Sequence, residues 1–213
     1  MDSNGTRPEL CVRRCVVVPI SLANGEKTMA VDVVSFTGLS ADEEHIAVIF
    51  PGNQGVPLVR VHSECLTGDV LGSARCDCGP QLREAIDSLA RDGGILLYLR
   101  QEGRGIGLYN KIDAYHVQDT LGLDTFAANR HLNFKEDRRS YRTAAQMLIA
   151  LGIDQVRLLS NNPDKVEQLT KHGIAVPEVL PTGFFVNDSN RGYLLTKMVS
   201  ACHRFAGPVE GGT

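Results

Sequence analysis

A chain of 213 residues, 43% apolar and 22% charged, fits one large domain or two small ones and can bury a core without disulfide staples. Its formal net charge of −3 excludes a global attraction to nucleic acid or an anionic membrane, so any phosphate-bearing ligand must be caught by a local basic cluster. No apolar run approaches a membrane span, and the polar start Met1-Asp2-Ser3-Asn4-Gly5 lacks a signal-peptide core, so the expected setting is cytoplasmic, with reduced thiols.

In chain order, residues 1–10 read as a disordered lead, residues 11–206 as one domain and residues 207–213 as a flexible tail. Stretches 28–36, 45–50 and 56–62 are rich in β-branched and apolar residues and predict strands. Leu82, Ala85, Ile86 and Leu89 recur at helical spacing. Short apolar runs at 93–99 and 156–160 predict buried strands, and 106–121, 137–151 and 193–205 predict helices. A further helix over 163–172 begins at Asn162-Pro163 and stops before Gly173, good start and stop signals. The expected architecture is α/β (α+β): a single domain, with a mixed sheet flanked by helices.

Three of the six cysteines, Cys65, Cys76 and Cys78, fall within a short polar stretch. Three thiolates with no obvious fourth partner suggest zinc with a position left for water, although a fourth protein ligand from elsewhere would close a structural site. Cys11, Cys15 and Cys202 stand beside valine or alanine and read as small buried hydrophobes or inert thiols. The turn Arg100-Gln101-Glu102-Gly103-Arg104-Gly105-Ile106-Gly107-Leu108 lets backbone approach a ligand and offers arginines for phosphate; the same string also fits a plain strand-to-helix turn. In the segment from Phe134 to Tyr141, Asp137 can be an N-cap with Arg138 and Arg139 as solvated charges. Asn162 can likewise cap its helix with Pro163 at the first position, while Ser160 and Lys165 can contact a ligand at the strand's end.

Four blocks in register carry a resemblance: Arg60-Val61-His62-Ser63-Glu64-Cys65-Leu66-Thr67-Gly68-Asp69, Arg75-Cys76-Asp77-Cys78-Gly79, the glycine-rich turn, and Leu159-Ser160-Asn161-Asn162-Pro163. Together they resemble GTP cyclohydrolase II, the enzyme that opens riboflavin biosynthesis. The resemblance implies that Cys65, Cys76 and Cys78 hold zinc with water in the fourth place. It implies that Arg60, Val61, His62, Ser63, Glu64, Gln81, Glu102, Gly103, Arg104, Thr125, Ser160 and Lys165 hold GTP. Asp137 and Arg139 match the family's proposed proton acceptor and nucleophile, and Tyr115 a tyrosine near the reacting ring. Magnesium with the triphosphate and a homodimer are also implied. An arginine is effectively always protonated, so charge stabilisation at the α-phosphate is physically an easier role for Arg139 than nucleophilic attack. A carboxylate, Glu102 first and Glu64 as the alternative, is expected to accept from guanine N1–H and N2–H₂.

The family usually has Leu-Gly-Phe where this chain has Leu132-Asn133-Phe134; asparagine tolerates left-handed backbone, so the turn is expected to survive. The expected reaction releases formate and pyrophosphate, and the closest alternative stops at the formylated pyrimidine. A zinc deaminase is suggested by His62-Ser63-Glu64, but its Pro-Cys-x-x-Cys partner is missing. A non-catalytic zinc module requires a fourth protein ligand.

Overall fold

The computed structural model describes residues 9–22, 25, 27–40, 43–52, 55–134, 137–191 and 194. The strands are β1 (Cys11–Ser21), β2 (Thr28–Thr37), β3 (Ile46–Phe50), β4 (Leu58–Ser63), β5 (Gly94–Leu99), β6 (Gln155–Leu159) and β7 (Ala175–Leu180). The helices are α1 (Leu66–Asp69), α2 (Cys78–Asp92), α3 (Glu102–Gly105), α4 (Leu108–Leu121), α5 (Thr125–His131), α6 (Arg142–Ala150) and α7 (Pro163–Lys171). All seven strands form one sheet in the order β1-β2-β3-β5-β4-β6-β7. The β1, β2, β3 and β5 pairings are antiparallel, whereas β5, β4, β6 and β7 run parallel. The mixed α/β architecture is as expected.

The sheet separates two apolar clusters. Val59, Val61, Leu97 and Leu158 pack with Ala144, Met147, Leu148 and Leu169 from α6 and α7. Leu58, Leu96 and Leu159 pack with Ala85 and Leu89 of α2. Because strand side chains alternate between faces, Arg60 and His62 share the α2 side with Leu58, and Val61 goes to the opposite core. Among the described residues no helix is long and apolar enough to cross a membrane.

Several expectations shift. Strands β1 and β7 are additional, and both lie at sheet edges. Leu10, at the end of the expected disordered lead, is buried in the main core. Cys11 and Cys15 are exposed rather than buried, because every residue from Cys11 to Val17 on the edge strand is exposed. The helix expected over 137–151 starts only at Arg142, after Tyr141, so Asp137 is not its cap. The helix expected over 193–205 lies, Leu194 apart, outside the described residues, as does the expected tail. Two local readings hold. Asn133 has φ +61°, and Asn162 caps α7, accepting from the Asp164 N–H at 3.0 Å with Pro163 in the first turn.

Candidate metal centre and adjoining cavity

In parallel α/β sheets ligands bind at the carboxyl ends of strands. Here the segments leaving β4, β5 and β6 enclose a cavity of about 580 Å³, within the range of small-molecule sites. The loop after β4 and the start of α2 bring three sulfurs together: the ligand atoms of Cys65, Cys76 and Cys78 all lie within 4.8 Å of one another, and the Cys65 and Cys76 sulfurs are 3.6 Å apart. Cys78 is the first residue of a fifteen-residue helix, where the helix dipole favours thiolate. All three thiols are free. Hydrogen bonds from Cys76 and Cys78, helped by the Lys111 ammonium, hold Cys65 far below the ordinary thiol range against the opposing effect of burial. The Cys65 thiolate in turn pushes Cys76 up to about 11. Such a set exchanges its remaining protons for a soft or borderline cation, and zinc fits it. Among the described residues no histidine or carboxylate joins the three cysteines.

Close backbone approach makes this cradle. A Cβ on Gly68 would lie 2.9 Å from the Cys76 sulfur and 3.1 Å from the Cys65 sulfur. Gly68→Ala therefore spreads the thiols without replacing one. Overpacking costs about 1–3 kcal/mol, which expressed as metal affinity is about 5- to 150-fold; chelator competition measures it. Unchanged zinc affinity in Gly68→Ala would show that the sulfurs do not hold the ion in this arrangement.

His62 belongs to the support of the loop rather than to the sulfur cluster. Its Nε2 lies 3.1 Å from both Asp69 oxygens, and Asp69 Oδ2 also accepts from the Tyr98 hydroxyl at 2.8 Å and the Cys65 N–H at 3.0 Å. Burial, opposed by the Asp69 hydrogen bond, lowers the His62 pKa, so the ring is neutral and donates from Nε2. This geometry removes the His-x-Glu ligand that a deaminase needs.

Cations gather around the cavity. Arg60 is 4% exposed, donates to the Leu159 carbonyl at 3.2 Å and to Gln81 Oε1 at 3.1 Å, and has no hydrogen-bond partner at Nε. Burial lowers its pKa, though nearby Cys78 and Asp77 oppose the shift. Lys165, also buried, donates to the Val61 carbonyl at 2.7 Å. Arg139 binds the Asp137 carboxylate through its backbone N–H at 2.9 Å and Nε at 3.0 Å. Burial works against the ionised Asp137, but the Arg139 hydrogen bonds and charge outweigh it and lower its pKa. The Arg138 N–H donates to the Arg104 carbonyl at 3.0 Å, which ties this segment to the glycine-rich turn. There Gly103 and Arg104 both adopt left-handed backbone, φ +60° and +61°. A side chain at Gly103 would also meet the Lys111 Cβ at 3.0 Å.

Of the residues expected at the site, Arg60, His62, Ser63, Glu64 and the three cysteines line the cavity, as do Gln81, Glu102, Gly103, Arg104, Tyr115, Thr125, Arg139 and Lys165. Val61 contributes its carbonyl, its side chain being in the core. Ser160 is buried, and its hydroxyl accepts from the Asn162 N–H. Asp137 stands behind Arg139. Glu102 differs from expectation. Its Oε1 accepts from Lys111 at 2.8 Å and from the Gly103 N–H at 2.8 Å, and its Oε2 from the Leu66 N–H at 2.7 Å. Both oxygens are engaged within the chain; Glu64, the alternative, has its Oε2 accepting from the Arg100 Nε at 2.9 Å. Lys111, Thr67 and Arg75 are participants that sequence reading missed. The i, i+4 spacing of Lys111 and Tyr115, which puts both on one helix face, was an available signal.

Three clustered cysteines able to hold a metal ion, beside a nucleotide-sized, cation-lined cavity at the carboxyl ends of parallel strands, define an α/β protein with a candidate metal site. Sequence comparison gives the family. A sequence profile described as GTP cyclohydrolase II matches residues 20–181, and the chain belongs to the GTP cyclohydrolase II family of hydrolases. It is 54% identical over 175 residues to GTP cyclohydrolase-2 of Vibrio vulnificus (strain CMCP6), covering 81% of this chain and 88% of the relative. It is 51% identical over 193 residues to GTP cyclohydrolase-2 of Psychromonas ingrahamii (strain DSM 17664 / CCUG 51855 / 37), covering 89% and 96%.

Proposed function

We propose that this chain hydrolyses GTP, opening the guanine imidazole ring at C8 with release of formate and pyrophosphate to give a diamino-ribosylamino-pyrimidinone 5′-phosphate, the opening step of riboflavin synthesis. The observation that carries the proposal is the juxtaposition of three ligand-ready sulfurs with a cavity lined by Arg60, Lys165 and Arg139. Cys65, Cys76 and Cys78 would hold zinc, which when bound would lower the pKa of water toward ~7 and so supply a hydroxide-like nucleophile near neutral pH.

The protein's own groups bind and direct. Arg60, Arg104, Gln81, Thr125 and Lys165 hold the nucleotide, and magnesium accompanies the triphosphate. Arg139, oriented by Asp137, stabilises charge as the α–β phosphate bond is cleaved. Glu64 accepts from the guanine N1–H and N2–H₂, so adenine leaves it unpaired and is rejected. When water adds at C8 and the C8–N9 bond breaks, the departing nitrogen must take a proton; a second hydration splits the formamide into formate and an amine. Tyr115 is the donor for this stage. Burial, opposed mainly by the Lys111 charge, raises its pKa, so the phenol keeps its proton at neutral pH. Tyr115 also favours full formate release over the alternative that stops at the formylated pyrimidine.

A homodimer is part of the proposal: among the described residues β1 is an edge strand, with Val16 and Val17 53% and 69% exposed, a surface that a second copy can cover. The cytoplasmic setting, which keeps the thiols reduced, is likewise proposed. The reading is tested by incubating zinc-replete protein and magnesium with GTP or ATP and following formate by a coupled dehydrogenase. Formate from GTP and little from ATP is expected; equal rates would overturn the base assignment, and formate from neither would overturn the reaction.

Arg60→Met gives a second check. It removes charge-assisted hydrogen bonds, each worth about 1.5–3 kcal/mol, so kcat/KM for GTP falls about 10- to 150-fold. Steady-state kinetics on protein shown to be folded by circular dichroism measures it. An unchanged kcat/KM would remove Arg60 from the binding site.

A further inference from the structure

Lys111 has no part in the chemistry assigned above, yet it is spent entirely on the site. Its side chain is 10% exposed. Its ammonium meets three acceptors: Glu102 Oε1 at 2.8 Å, Thr67 Oγ1 at 3.0 Å and Cys65 Sγ at 3.1 Å. A lysine ammonium has three donors and no acceptor, so this set saturates it. The acceptors come from separate places, the glycine-rich turn after β5, helix α1, and the cysteine loop after β4. The Lys111 ammonium also lies 5.7 Å from the Tyr115 ring centroid, one turn along α4. One cation thus touches a proposed metal ligand, the carboxylate that fixes the Leu66 and Gly103 amides, and the Thr67 hydroxyl.

The charge balance gives this position a purpose. Three thiolates exceed the charge of a divalent ion by one, and electron-rich sulfur donors weaken its pull on a fourth ligand. An ammonium against one sulfur withdraws part of that density. Groups beyond the ligands are known to orient them and tune the metal in this way.

Resting on the ring-opening reading above, we infer that Lys111 is a positioning residue of the reaction: by joining Glu102, Thr67 and the Cys65 sulfur it fixes the Cys65 donor beside the Tyr115 ring, and it offsets the excess negative charge of a three-thiolate metal site.

The test uses the protein loaded with cobalt(II) or zinc, as wild type, K111M, K111R and the double variant K111M/E102Q. Without the ammonium the sulfur lone pairs rise in energy, so the sulfur-to-cobalt charge-transfer band of K111M moves to lower energy. Its kcat on GTP falls about 10- to 100-fold, with KM nearly unchanged. K111R restores the charge, and with it the band position and part of kcat. In K111M/E102Q no buried carboxylate is left without its cation, so this variant carries the test even if K111M fails to fold. Its band stays shifted and its kcat stays low if Lys111 acts on Cys65 and Thr67. A wild-type band position and kcat in K111M, or their recovery in the double variant, would overturn the inference and reduce Lys111 to a counterion for Glu102. The band is read without GTP, so a wild-type protein that binds cobalt but does not open GTP would count against the reaction alone.

Discussion

Serine in place of Cys65, Cys76 or Cys78 weakens zinc binding by orders of magnitude and, with it, ring opening. Each sulfur is one of three that lie within 4.8 Å of one another, with no further ligand among the described residues. At neutral pH a serine hydroxyl is not ionised, so the exchange removes a charged donor and leaves a weak neutral one. Zinc sites bind with apparent free energies of about 10–16 kcal/mol. Losing one of three thiolates removes on the order of 3–5 kcal/mol of this, or about 10²- to 10⁴-fold in affinity. The three positions differ in their secondary effect. In Cys65→Ser the Lys111 ammonium also loses its sulfur partner, whereas Cys78→Ser changes the first turn of α2. Phosphate cleavage, assigned to Arg139 and Asp137 rather than to the sulfurs, survives in part. Zinc content by elemental analysis and formate release check the prediction. A variant that retains full formate release without zinc would end the metal-dependent reading.

Tyr115→Phe separates the two halves of the reaction. The substitution keeps the ring that Arg75 covers at 4.5 Å and removes only the hydroxyl. Zinc ligands, Arg139 and Arg60 stay in place. A general acid–base group contributes about 10²- to 10⁴-fold, which is large enough to invert the product ratio. The formamide therefore accumulates while pyrophosphate still appears. Mass spectrometry of the formylated and deformylated products reads the ratio directly. A ratio unchanged from wild type would remove Tyr115 from the second hydration, and with it the argument for complete formate release.

The sequence made some of this arrangement readable and hid the rest for identifiable reasons. The cysteine triad was visible because its members lie close in the chain, and the α7 cap because Asn162 and Pro163 act on their immediate neighbours. Asn133 announced its left-handed backbone by residue type. The edge strands were hidden. In β1 the run Arg13-Arg14 and Pro19 break the alternation, and β7 carries Pro177; proline is tolerated at an edge and argues against a strand when read locally. Lys111 was hidden because two of its acceptors are 46 and 44 residues away, so nothing near it in the chain marks it as buried. The internal partners of Glu102 were not legible either: a carboxylate in a glycine-rich turn looks available, whereas three donors from its own chain engage it. Val61 is a matter of strand parity: its neighbours Arg60 and His62 face the cavity, so its side chain faces the core.

The fate of one atom tests the central claim most directly. GTP labelled with ¹³C at C8 is incubated with the zinc-replete protein and magnesium and followed by carbon NMR. The account predicts that the label leaves the purine and appears as free formate, while pyrophosphate accumulates in equal amount. Label that remains in an intact purine ring as phosphate is released, or that stops in a formamide, would contradict it.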